Sequence, residues 1–445
     1  MCLSLPDITL SLYACFVLLI ILKYLWLPYQ PAVFLFGLVF QWTQSALRIF
    51  QANFAGEKLD TFDQSPNAAY AAYAALTSTL IASLVIAWFL RTNNWDKTFL
   101  QNSLASVNIK KVFGIHIIMF IGMPLLALVK IGGLSQIIVS LESLKWLAYC
   151  LLTMSVFVQR RLYLLLGISF VSELILGFTG YFSSFKNVVF FSLISILSLT
   201  PRVTPGRVII STVLGVFVIA LGLFWTSIKG DYRKFLSGGQ RAQIVTVSAT
   251  ESLEYVYSSF STARNTPVEI ILESFLNRLQ YTRMIQLVMD YIPRHLDHQQ
   301  GKQWQDAINH ILQPRILFPD KPPLDDSAIT SKYTGLRWAG ADEGTSISIG
   351  YVAESYVDYG IPLMFIPVAI LAFLVGLLYR SITRQPRQYA LLFYVTSIVL
   401  FIRFSHIETS YTKIIGGLIT TFLVYILIIK TVVFPLLWNF ISRRR

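Results

Sequence analysis

Two carboxylates, Glu354 and Asp358, stand four residues apart in the run Gly-Tyr-Val-Ala-Glu-Ser-Tyr-Val-Asp-Tyr-Gly at 350–360. On a helix that spacing places both on one face, where repulsion raises one pKa and yields a general base. Helix caps and solvated charges account for the same pattern equally well. Upstream, Gln-Pro-Arg-Ile-Leu-Phe-Pro-Asp-Lys-Pro-Pro at 313–323 sets Arg315 and Lys321 among Pro314, Pro319, Pro322 and Pro323. So constrained a backbone holds its cations ready for charge developing on a phosphate; a proline-rich connector with solvated charges is the plainer alternative. Arg278 and Arg283 accompany an apolar stripe of Ile271, Phe275, Leu279, Ile285, Val288 and Met289. They serve either as headgroup-facing charges of a helix lying on a membrane or as a grip on a pyrophosphate. Arg337 joins them by position and charge. Arg403, His406 and Glu408 form a last group in a brief loop between two apolar segments. Ionisable residues at a membrane edge are costly and often functional; His406 is a candidate acid, base or diphosphate ligand, or a structural residue at a helix end. The shared chemistry is recognition of an anionic, lipid-linked substrate.

Apolar helices must position these groups. The chain is 55% hydrophobic and only 13% charged, about half the charge of a soluble domain, which marks an integral membrane protein. Segments able to cross about 30 Å of hydrocarbon fall near 8–27, 31–50, 68–90, 112–130, 143–158, 162–178, 183–200, 207–227, 361–380, 388–404 and 411–432. The expected fold is an all-α polytopic membrane protein with about eleven transmembrane helices. It divides into a bundle at 1–227, a polar loop domain with short helices at 228–360, and three final spans with a basic tail at 361–445. Within the loop, Thr266, Pro267 and Glu269 begin a helix that should run to about Tyr291, and a second covers Trp304 to Leu312. Glu173, late in the sixth span, calls for a buried partner such as an arginine.

Lysine and arginine bias orients the bundle. Arg91, Lys97, Lys110 and Lys111, then Arg160 and Arg161, Arg202 and Arg207, and Arg380, Arg384 and Arg387 all fall on one side, with the tail Arg443, Arg444 and Arg445. This puts the C-terminus in the cytoplasm and the N-terminus and loop domain outside. The net charge of +13 comes from scattered short loops, so nucleic acid is not an expected partner; membrane lipids are. The first residues lack the basic region of a secretory signal, so the first apolar run should remain as a helix. Cys2, Cys15 and Cys150 make neither a disulfide framework nor a metal pair. His295 and His298 have metal-pair spacing with no third ligand to complete it, so no metal is expected. Neither a Walker loop nor GxGxxG, HExxH or GxSxG occurs, and no cofactor is expected.

The order of motifs resembles a family. Asn277-Arg278-Leu-Gln, Gly301, Pro-Arg-x-Leu-Phe-Pro-Asp-Lys-Pro at 314–322 and Gly-x-x-x-Glu-x-Tyr-x-Asp-Tyr-Gly before a span look like bacterial Wzy-type polymerases of O-antigen, capsule and exopolysaccharide repeat units. The likeness covers about 270–362, the proline-rich box being its most specific part. It implies a GT-C-like glycosyltransferase of the bacterial plasma membrane that joins undecaprenyl-diphosphate-linked oligosaccharides on the outer face without nucleotide or metal, with a chain-length regulator as a possible partner. By the resemblance Arg278, Arg315 and Lys321 bind diphosphate and Glu354 is the base; Arg283, Arg337, Arg403, His406 and Asp358 are added from position and charge. The paired RX10G motifs of some such polymerases are missing, so a two-loop catch-and-release scheme does not transfer. O-antigen ligation, a flippase for the same lipid-linked sugars, and a structural partner of an assembly complex are the rivals.

Overall fold

The computed structural model describes residues 6–91, 95–127, 140–141, 143–180, 184–200, 205–240, 244–263, 267–314, 317–318, 320–340, 343, 345–384 and 387–442. Among them the chain is helical, with one isolated antiparallel bridge between Val107 and Ser442. In order, the helices are α1 (Ile8–Leu25), α2 (Val33–Phe54), α3 (Leu59–Phe62), α4 (Ala68–Leu90), α5 (Lys97–Ala105), α6 (Ile109–Ala127), α7 (Ser143–Gln159), α8 (Tyr163–Phe178), α9 (Phe185–Ser198) and α10 (Pro205–Leu236). The polar domain contributes α11 (Ala249–Ala263), α12 (Val268–Leu279), α13 (Thr282–Tyr291), α14 (Lys302–Leu312), α15 (Asp326–Thr334) and α16 (Gly350–Tyr359). Then come α17 (Phe365–Thr383), α18 (Ala390–Phe401), α19 (Tyr411–Val424), a π-helical continuation Tyr425–Val433, and α20 (Phe434–Ile441).

Each of the eleven apolar segments contains a helix, and among the described residues six helices are long and apolar enough to cross a membrane. The protein is a helical membrane protein. Where α4 meets α17, Gly376 lies so close to Phe89 that a Cβ would enter its ring, and the many alanines of α4 allow similar approach along its length.

Apolar helices give nothing specific for a polar domain to grip, so α2 carries the grip itself. Gln41, Gln44, Ser45 and Arg48 recur at three- and four-residue spacing and share one buried face. Gln41 Oε1 accepts from the Tyr351 hydroxyl at 2.8 Å, and Gln44 Nε2 donates to Glu408 Oε2 at 2.6 Å. Arg48 Nη1 donates to Asn277 Oδ1 at 3.1 Å, while its Nε donates to Asp63 at 2.8 Å and its guanidinium covers the Phe62 ring. Gln41, Gln44 and Arg48 therefore each hold a piece of the C-terminal half of the chain.

The expected single helix from 266 to 291 is two helices. Gln280 is extended, and the Tyr281 N–H donates to the Gln44 carbonyl at 3.0 Å. The two halves have different partners: α12 packs on α10, where Gly222 makes room for the Phe275 ring, and α13 packs on α4. Asp290 anchors α13 by accepting from Ser65 Oγ (2.7 Å) and Asn67 Nδ2 (2.8 Å). Thr266, the expected cap, lies outside the described residues. Among the described residues Glu173 meets a lysine and a histidine where an arginine was expected: Lys145 Nζ from α7 lies 2.7 Å from one carboxylate oxygen and His116 Nε2 from α6 lies 3.7 Å from the other.

Candidate functional site

The break between α12 and α13 aims two arginines into one place. Five residues apart on a continuous helix, Arg278 and Arg283 would point about 140° apart. With the extended residue between them, both line a cavity of about 720 Å³. Lys229 and Arg233, four residues apart near the end of α10, line it from another side. Tyr281, Asn277 and Trp338 complete the wall, and no carboxylate is among the described lining residues.

Positive charge is thus concentrated among the described residues of the wall. Lys229 lies in the fields of Arg278, Arg233 and Lys186, the last from the start of α9. Burial first, and then the Arg233 guanidinium, push Arg278 below its ordinary pKa. An arginine does not lose its proton in a protein, so that pressure measures how favourable an anion is here. Tyr281 is driven well above the ordinary phenol value by burial and then by Glu408, Glu354 and Asp326; it remains a neutral hydrogen-bond donor.

His406 and Glu408 stand behind Tyr281, linked to it through Gln44. His406 Nδ1 is 3.1 Å from Glu408 Oε1, an ion-pair distance, and its ring meets Phe40 edge-on. Gln44 fixes the loop by accepting from the Ile407 N–H at 3.2 Å while donating to Glu408. Burial pushes the Glu408 carboxyl up, but His406 and Gln44 outweigh it and bring it down to about 2.

The paired carboxylates share a helix, α16, and each is also held by another helix. Glu354, only 4% exposed, accepts the Tyr411 N–H at 2.7 Å and so caps the start of α19. Asp358 accepts the N–H groups of Gln303 (2.9 Å) and Trp304 (3.3 Å) and caps α14. Carboxylates at helix N-termini meet unpaired donors and the positive end of the dipole. Burial is the largest influence on both: it lifts Glu354 to about 8, with Asp326 and Asp358 adding to it, and Asp358 to about 6. Neither lines the cationic cavity.

The remaining candidates divide. Lys321 and Arg403 line a second cavity, with Lys413. Arg337 is exposed and pairs with Glu343 at 3.2 Å, although its neighbours Leu336 and Trp338 line the first cavity. Arg315 lies outside the described residues. His295 stacks on Tyr291, while His298 Nδ1 meets the Tyr356 carbonyl at 2.9 Å, so the two histidines face different partners. Lys229 and Arg233 were missed by the sequence reading. Their signal was two cations one helical turn apart just beyond an apolar run, where they pass for ordinary flanking charges. Gln44 was missed because a single amide in a hydrophobic segment carries no motif.

No curated protein and no solved structure matches the chain significantly. Residues 34–440 match the Domain of unknown function DUF8712, and because that match takes in nearly all the helices described above, the chain belongs to the DUF8712 family.

Proposed function

We propose that the protein is a polysaccharide polymerase of the bacterial plasma membrane, joining undecaprenyl-diphosphate-linked oligosaccharides by glycosyl transfer. The observation that carries this reading is the cavity walled by Lys229, Arg233, Arg278 and Arg283, with no carboxylate among its described lining residues, between membrane helices and the polar domain. A diphosphate is the leaving group whose charge such a wall stabilises most as the glycosidic bond breaks. The acceptor hydroxyl attacks the anomeric carbon and the diphosphate departs on its lipid; the proton goes to a base, for which we take His406, set behind the cavity wall rather than in its lining. Trp338 offers an aromatic face for a sugar ring. Glu354 and Asp358 hold helices in place in this scheme. We read the four shorter apolar helices and α6 as spans too, which gives eleven, a GT-C-like bundle, a polar domain on the outer face and a cytoplasmic C-terminus. The motif resemblance at 270–362 supports the same reaction, and a chain-length regulator is the partner it implies.

Surface glycans of a deletion strain carrying a plasmid copy of Lys229→Gln test this on a gel. Glycan cores capped by one repeat, with no ladder, are expected. Wild-type ladders from that variant and from Arg278→Gln would remove the reading. The second reading, a flippase for the same lipid-linked sugars, is favoured by the buried His116, Lys145 and Glu173 cluster; it predicts loss of capping altogether.

A further inference from the structure

We propose that the groove along α19 is a separate binding site for a phosphate-headed lipid. The groove, of about 420 Å³, shares no lining residue with the cationic cavity. Its chemistry changes along its length. Lys321, Arg403 and Lys413 stand in its wall, and no carboxylate is among the described lining residues. Thr412, Gly416 and Thr420, at four-residue spacing, form one strip of α19, and Ile419 and Leu423 continue the wall into the apolar part of the helix. Residues 412 to 423 advance about 16 Å along the axis, so the groove leads from cations at the polar domain into the hydrocarbon zone.

The local structure maintains that shape. Lys321 Nζ donates to the carbonyls of His310 and Gln313 at the end of α14, which fixes the ammonium. Lys413 is steered by Asp326 at 2.6 Å. Gly416 and Gly417 keep the floor low: a Cβ on the first would stand 3.3 Å from Ile311, and on the second 3.3 Å from Arg403 Nη1. A free anion would have no use for the apolar half, and a neutral lipid none for the cations. A phosphate carrying a hydrocarbon chain matches both. Lys413 Nζ also donates to Ser346 Oγ at 3.1 Å, and Ser346 lines the cationic cavity, so the bound head lies one hydrogen bond from that wall. The inference stands on the groove and does not depend on the glycosyl-transfer reading.

The test uses the full-length protein in detergent, with a photoactivatable phosphatidylglycerol carrying a diazirine in its acyl chain. Crosslinking is expected within 416–423, competed by unlabelled phosphatidylglycerol or undecaprenyl phosphate and not by phosphatidylcholine or inorganic phosphate. Arg403→Gln and the groove-filling Thr420→Trp should each weaken it about tenfold, the loss of one charge-assisted contact, whereas Lys229→Gln in the other cavity should leave it unchanged. Wild-type protein labelled only elsewhere would overturn the proposal. So would equal competition by inorganic phosphate, or full labelling of both groove variants. If Thr420→Trp elutes as aggregate, Arg403→Gln and the wild-type map decide.

Discussion

Replacing Glu354 by glutamine separates two roles that its sequence position left open. Glutamine keeps an oxygen to accept the Tyr411 N–H, so the cap on α19 survives. What disappears is a titration. Burial raises the folded carboxyl from its ordinary 4.5 to about 8, so between those values the folded protein holds a proton that the unfolded chain has released. Stability contributed by that bound proton is fully present below pH 4.5 and is lost as pH rises to about 8. The slope is about 1.4 kcal/mol per pH unit at full occupancy. Asp358 titrates similarly up to about 6, so from pH 6 to 8 Glu354 contributes without it, a difference on the order of 2–3 kcal/mol. Thermal unfolding of purified wild type and Glu354→Gln, at one scan rate across that window, should show a midpoint that falls more steeply with pH in wild type than in the variant. The variant should also keep its polysaccharide ladder. Parallel pH slopes would refute the buried-proton argument, and a folded variant that builds no chains would make Glu354 a base after all.

Three further outcomes follow from the geometry. Arg278→Ala should slow chain growth on the order of 10² to 10³-fold, the usual cost of one preorganised donor, without lowering membrane abundance, read by in vitro elongation beside an immunoblot. Gly350→Ala should lower the thermal midpoint by several degrees, because φ is +79° there and a Cβ would run into the Ile407 carbonyl beside Tyr281. Arg48→Met should cost roughly 3–5 kcal/mol by stranding the buried Asp63 carboxylate; the double variant Arg48→Met/Asp63→Asn should recover most of it, and failure to recover would show that the Asn277 contact, not the ion pair, is what matters.

The sequence by itself determined the membrane class and the positions of the apolar helices, because span length and turn chemistry are local. Even the unforeseen α15 had its signals in place: Asp325 accepts the Ala328 N–H at 3.0 Å, and Gly335 closes the helix at φ +68°. Arg278 and Arg283 were legible as candidates because arginines beside an apolar stripe stand out. Their convergence was not, since it depends on a break imposed by Tyr281 reaching the Gln44 carbonyl more than 200 residues away in the chain. Nor could spacing tell a catalytic pair from two caps: Glu354 and Asp358 share a face, and only the arrival of α19 and α14 at that face decides what each one binds. Lys229 and Arg233 belong to the cavity for the same reason. Charge acquires a role when another element places a second charge beside it, and that placement is a property of packing rather than of the residues in order.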